Sequence, residues 1–215
     1  MKRKFLTVVC LCTCIFFSSG NSQNIVNIGI GPTWPKDLRD TEKPTAWNAT
    51  IEYYKLFDNI VGFGLDLDFT WNVFYTTVEV IDTTATPPDT VDRKLDNNRI
   101  FMFPISAALL FDPIPKFVIH PVIKGQVGLN MMTKSYEELD TTGQEIKSPK
   151  NGFYVGIIGK FSVDAVYDLG EHAALFAGFE FQWGKLRHKR KGTVQDYDYF
   201  DFYGPGIRMG LSVLY

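Results

Sequence analysis

The sequence predicts an all-β fold, an eight-stranded antiparallel up-and-down transmembrane β-barrel, on three observations. Apolar side chains alternate with small or polar ones through most of the chain after residue 22. The eight alternating segments are joined by connections that run long, short, long, short in strict order. Aromatic residues gather toward the ends of those segments.

Residues 1–22 read as an export signal, and residues 23–215 as the barrel domain. Lys2, Arg3 and Lys4 precede an apolar run over 5–17, followed by Ser18, Ser19 and Gly20. A charged head, a short apolar stretch and a small-residue exit make up a secretory leader. Thirteen apolar residues fall short of the ~20 that a helix needs to cross a bilayer. Cys10, Cys12 and Cys14 all lie in this leader, so no disulfide is expected in the mature chain. Thr13 precedes Cys14 where a lipid anchor would need a small residue, so no lipid is expected either. Formal charge is −2, and removal of the leader's three bases lowers it to −5. That balance argues against a nucleic-acid partner, which usually selects a basic surface.

The segments are 25–31, 45–54, 61–73, 100–111, 117–132, 152–167, 173–183 and 204–215. The clearest is 61–73. Val61, Phe63, Leu65, Leu67, Phe69, Trp71 and Val73 take one face, and Gly62, Gly64, Asp66, Asp68, Thr70 and Asn72 take the other. Successive strand side chains point to opposite faces, so this is a strand with one apolar wall. The first segment carries Gly29 and Gly31 on its polar face, and the second carries Glu52. Segment 100–111 is the least clean, because Met102, Pro104 and Leu110 interrupt its second face. Segment 117–132 brings Lys124 and Gly128, and 152–167 brings Gly156, Lys160 and Asp164. Segment 173–183 adds Gly178 and Glu180, and the last adds Gly206, Arg208 and Gly210. Pro104 and Pro121 fall inside strands, where each removes a ladder bond, and they are expected to mark bulges.

The short connections are 55–59, 112–116 and 168–172. The long polar ones are 34–44, 74–99, 133–151 and 184–203. Outer-membrane barrels have short periplasmic turns and longer outer loops, whereas a soluble sandwich has no reason to sort loop length by end. A secreted lipocalin-like barrel would point its apolar faces inward. Glycine on the polar faces argues against that arrangement, because a narrow eight-stranded lumen rewards small residues. So do the few polar-face charges of both signs and the end-placed aromatics Trp47, Tyr53, Phe57, Trp71, Phe101, Phe111, Phe117, Tyr167, Trp183 and Tyr215, which suit interfacial girdles.

The run His120-Pro121-Val122-Ile123-Lys124-Gly125-Gln126-Val127-Gly128, the opening Gly152-Phe153-Tyr154-Val155-Gly156 and the aromatic Tyr215 carry a resemblance. The mature chain resembles the small bacterial outer-membrane β-barrel superfamily, of the OmpA-barrel, OmpX and OmpW kind. The resemblance implies an outer-membrane location and recognition by the outer-membrane insertion machinery. The assembly signal it implies is the last strand, with Ile207, Met209, Leu211, Val213 and Tyr215 on one face. It extends to the barrel alone, and no peptidoglycan-binding domain is expected.

Catalytic signatures are poor, and no catalytic residue, cofactor or metal is expected. His120, His172 and His188 lack metal-ligand spacing, and His120 is expected to face the lumen as a hydrogen-bonded filler. Asp66 and Asp68 share a face, where close carboxylates can hold a raised pKa for acid–base work. A structural ion network explains them equally well. Its expected members are Glu52, Asp66, Asp68, Lys124, Lys160, Asp164, Glu180 and Arg208. Arg187, His188, Lys189, Arg190 and Lys191 form the densest basic run, suited to lipopolysaccharide phosphates or an acidic surface partner. Asp196, Asp198 and Asp201 follow it, so a hairpin folding on itself is the other reading. Membrane lipid and the insertion machinery are the expected partners of a monomer. Two roles stay open: a structural or surface-interaction protein acting through its long loops, and a small pore or facilitator for small or apolar solutes.

Overall fold

Eight strands carry the alternation, and they close on themselves. The computed structural model describes residues 23–38, 45–57, 60–82, 89–139, 144–147, 151–189 and 197–215. The expected export signal lies outside the described residues.

The strands are β1 (Asn24–Thr33), β2 (Ala46–Leu56), β3 (Val61–Asp82), β4 (Asp89–Phe111), β5 (Ile119–Ser135), β6 (Glu137–Leu139), β7 (Glu145–Lys147), β8 (Gly152–Asp168), β9 (Ala173–Lys189), β10 (Tyr197–Asp201) and β11 (Gly204–Leu214). Each of β1 to β4 pairs antiparallel with its successor. The ladder then runs β5–β8–β9–β11, and β11 returns to β1. Closure leaves no strand edge in the wall, as a strand protein in lipid requires. Both chain ends of the barrel lie at the short-turn end, where Asn24 and Tyr215 exchange backbone hydrogen bonds of 2.9 and 3.0 Å.

Alternation sorts the faces as a lipid-facing wall demands. Phe63, Leu65, Leu67, Ile105, Leu109, Leu129, Ile157, Phe179 and Met209 are exposed on the outside, while Asp66, Asp68, Asn130 and Glu180 are buried within. So broad an apolar exterior would be an aggregation hazard in water and is at home in a bilayer. The lipocalin arrangement is therefore reversed. Aromatics cluster on the outer wall: Phe69 stacks on Trp71 at 5.4 Å and meets Phe103 at 5.0 Å, and Phe181 meets Tyr203 edge-on at 4.9 Å.

Two expectations need correction. The connection expected over 74–99 is mostly strand: β3 and β4 stay paired to Asp82 and Asp89, well above the last β2–β3 pair, Trp47 with Trp71. Thr76, Thr77, Val78, Val80 and Ile81 are β-branched, which favours extended pairing whatever surrounds it. The register shifts between Phe74 and Thr76, where the hairpin leaves the wall. Pro104 and Pro121 mark no bulge. They pair in continuous register with Asn130 and Ala165, each giving up only its own N–H.

The interior is layered. Charged and amide side chains fill the middle, with an apolar cluster at each end. At the long-hairpin end Leu38, Phe74, Met132, Tyr154, Phe200 and Phe202 are buried together. Met102, which spoiled the polar face of its strand, belongs to that cap. Leu110 belongs to the second cluster, with Tyr54, Val122 and Phe176 at the short-turn end.

Candidate functional site

Strand parity puts Glu52 on β2, Asp66 and Asp68 on β3, Lys124 on β5, Lys160 and Asp164 on β8, Glu180 on β9 and Arg208 on β11 inside the barrel, all buried. The register of the closed sheet then gathers them from different strands. Arg208 reaches Glu52 with Nη1 at 2.6 Å and grips Asp164 with a fork, Nε to Oδ1 at 3.0 Å and Nη2 to Oδ2 at 2.7 Å. Bidentate pairing of this kind fixes geometry as well as supplying energy. Lys124 Nζ lies 2.5 Å from Glu52 Oε2 and 2.9 Å from Asp164 Oδ2. Nearer the long-hairpin end, Lys160 bridges Asp66 and Asp68.

Neutral residues complete the set, and sequence reading missed them. Asn27 Nδ2 and Gln126 Nε2 donate to Glu52 at 2.8 and 3.1 Å. Ser162 accepts from Arg208 at 2.8 Å, Thr50 donates to Asp66 at 2.9 Å, and Asn48 donates to Asp68 at 3.3 Å. Each occupies an inward position beside a charged one, which was the available signal. Among the described residues no cation lies within ion-pair distance of Glu180, although its charge acts on Lys160 and Arg208. The ladder sets Glu180 between Ser162 and Gly206, and the Gln182 amide donates to it.

Glycine does more than widen the lumen. A Cβ on Gly64 would lie 2.8 Å from the Tyr54 ring, and one on Gly29 would lie 2.8 Å from the Phe176 ring. The space these glycines free is filled by rings from other strands, Tyr54 from the adjacent β2 and Phe176 from β9, two strands away. A cavity of about 690 Å³ opens below them, at the short-turn end, walled by Leu56, Leu110, Val122, Val166 and Phe176 with Lys124 and Asn27 also lining it. His120 sits at its rim and faces inward as expected. Its Nε2 is 3.1 Å from Asp112 Oδ2, and its Nδ1 is 2.9 Å from the Phe117 carbonyl. Burial pushes the Asp112 carboxyl above its ordinary value, against the pull of His120.

The remaining predicted residues lie on the outside or at the long-hairpin end. Ile207, Met209, Leu211, Val213 and Tyr215 are exposed on the outer wall. The basic run does not present one face. Arg187 points outward, whereas His188 turns in against the Tyr154 ring at 5.1 Å and lies 2.8 Å from the Phe153 carbonyl. The backbone of Lys189 pairs with Tyr197, and Arg190 and Lys191 lie outside the described residues. The self-folding hairpin forms as β9 with β10, yet Asp198 is taken by the Tyr154 hydroxyl and Asp201 by Lys36 at 3.6 Å.

No family model matches the sequence, and no curated protein matches it. Among solved structures the fold is similar to that of neisserial surface protein A, with a TM-score of 0.51 at 11% identity over 90% of this chain and 97% of that one. It is also similar to the outer membrane protein OprG from Pseudomonas aeruginosa, with a TM-score of 0.48 at 16% identity over 90% and 96%. Ail of Yersinia pestis, in complex with the heparin analogue sucrose octasulfate, matches with a TM-score of 0.44 at 11% identity over 90% and 98%. A closed eight-strand ladder, an apolar outer wall and a polar filled interior belong together in one architecture: this chain has the fold of a small outer-membrane β-barrel.

Proposed function

We propose that the barrel is a membrane anchor whose task is structural or surface interaction through its long-hairpin end. The observation that carries this reading is the filled lumen. Glu52, Asp66, Asp164, Lys124, Lys160 and Arg208 are all 3% exposed or less, and the apolar cap lies between them and the outer mouth. An aqueous channel needs an unobstructed polar path, which eight strands scarcely leave room for. The outer end instead offers material for contact: the paired β3–β4 arm, the β6–β7 hairpin joined to it by Arg93 and Glu145 at 3.2 Å, and the basic β9–β10 hairpin. Lipopolysaccharide or another acidic surface partner at that last hairpin belongs to the same reading, as does insertion by the outer-membrane machinery.

A pore for small or apolar solutes is the competing reading, favoured by the apolar cavity at the short-turn end. Against it stand the charged layer and the cap, which lie between that cavity and the outer mouth. Protein reconstituted in planar bilayers is expected to pass no steady unitary current. Regular single-channel steps that vanish when the barrel is boiled would replace this reading with the pore.

A further inference from the structure

We propose that the outer wall of β9 and β10, just above the aromatic band, binds the phosphate of an outer-leaflet glycolipid between Lys185 and Arg187. The proposal rests on the reading above, from which it takes the long-hairpin end as the outer one and the β9–β10 hairpin as a place of acidic contact, and it names the residues and the ligand chemistry. Outward positions of β9 run Phe179, Phe181, Trp183, Lys185 and Arg187, so one strand passes from apolar to aromatic to basic at every second residue. Two strand residues advance about 6.6 Å, or about 5 Å along the membrane normal at a tilt of roughly 40°. Lys185 and Arg187 thus stand about 5 and 10 Å above Trp183, in and just beyond a headgroup layer about 5–8 Å deep.

The surroundings orient both cations without neutralising them. Lys185 Nζ lies 4.4 Å from the centre of the Tyr199 ring, and the Arg187 guanidinium lies 6.0 Å from that of Tyr197. Rings beside the side chains limit their freedom and leave the charged heads available. Among the described residues no carboxylate lies within ion-pair distance of either. Asp201, across the ladder from Lys185, is engaged by Lys36, and Asp37 accepts the Asp201 backbone N–H at 2.6 Å.

Position argues for a lipid rather than a soluble anion. On the other side of β9 the ladder partners of Arg187 and Lys185 are Val155 and Ile157, both exposed and apolar. Below them Phe181 and Trp183 continue the apolar surface. A ligand that satisfies the whole patch carries a phosphate over acyl chains.

The test uses full-length barrel in detergent and native mass spectrometry, with diphosphorylated lipid A and its dephosphorylated form as probes. The phosphorylated form is expected to bind at least about tenfold tighter, the scale of one charge-assisted hydrogen bond. Added salt is expected to narrow the gap. K185Q with R187Q should abolish the preference, and K185R with R187K should keep it, with both variants retaining the gel mobility of the folded barrel. Equal binding of the two lipids, or an unchanged preference in the neutral variant, would overturn the proposal. Inorganic phosphate competing as well as the lipid would also overturn it, because the site would then take a free anion. A lipid-indifferent barrel that still passes no current would sink this inference and leave the surface-contact reading standing.

Discussion

Arg208 shows what burial does to a single side chain in this barrel. Alone in the lumen its charge would cost several kcal/mol of desolvation, yet it holds two carboxylates and a hydroxyl within 3.0 Å. Removing it leaves Glu52 and Asp164 with only Lys124 as cationic partner among the described residues. Arg208→Leu is expected to cost about 3–5 kcal/mol, the range for breaking a buried pair. Urea unfolding in lipid vesicles reads the cost, and an unchanged midpoint would place Arg208 in open water. Gly64 makes the opposite point, since the requirement there is an absent side chain. A Cβ would sit 1.9 Å from the Tyr53 carbonyl oxygen, backbone that cannot move without disturbing the β2–β3 ladder. Gly64→Val is expected to lose at least about 1–3 kcal/mol by overpacking. The fraction of unheated protein that migrates as the compact form on a gel measures it, and a wild-type fraction would mean that the strands have room to part.

The turns and the last strand set direction and closure at the scale of elements. Lys116 is exposed in the short turn between β4 and β5, at the end opposite the β3–β4 arm. Trypsin on intact cells is expected to spare Lys116 and to cut in the connections at the other end, and lysis is expected to expose it. Cleavage at Lys116 before lysis would mean that the barrel sits inverted. β11 is the closing element, hydrogen-bonded to both β1 and β9 with its apolar face outward. The proposal that this strand and Tyr215 form the assembly signal is tested by deleting Tyr215. Export is expected to continue while insertion falls and unfolded chain collects in the periplasm. Normal insertion, with unchanged resistance to denaturation, would reduce Tyr215 to one more interfacial aromatic.

The whole molecule separates what composition and pattern dictate from what folding adds. The sequence by itself determined the eight strands, their order, the ends at which short and long connections lie, and which residues face in. All of that follows from period two, a local property in which each side chain's face depends only on its neighbours. It did not reveal the β3–β4 arm. That arm rises beyond the bilayer, so the apolar wall needed in lipid no longer marks its strands, and only β-branched Thr, Val and Ile do. Parity also could not say which charges meet. Asp164 reaches Arg208 and Lys124 on other strands because stagger sets height in the lumen, while Glu180 meets Gln182, two residues along its own strand. The β2–β3 register sets Tyr54 against Gly64, and closure of the ring brings Phe176 of β9 against Gly29 of β1, so the middle of the lumen is packed where the sequence allowed a channel. Inward or outward is a choice each residue makes locally. Partner and level exist only once β11 has found β1 and the ring is closed.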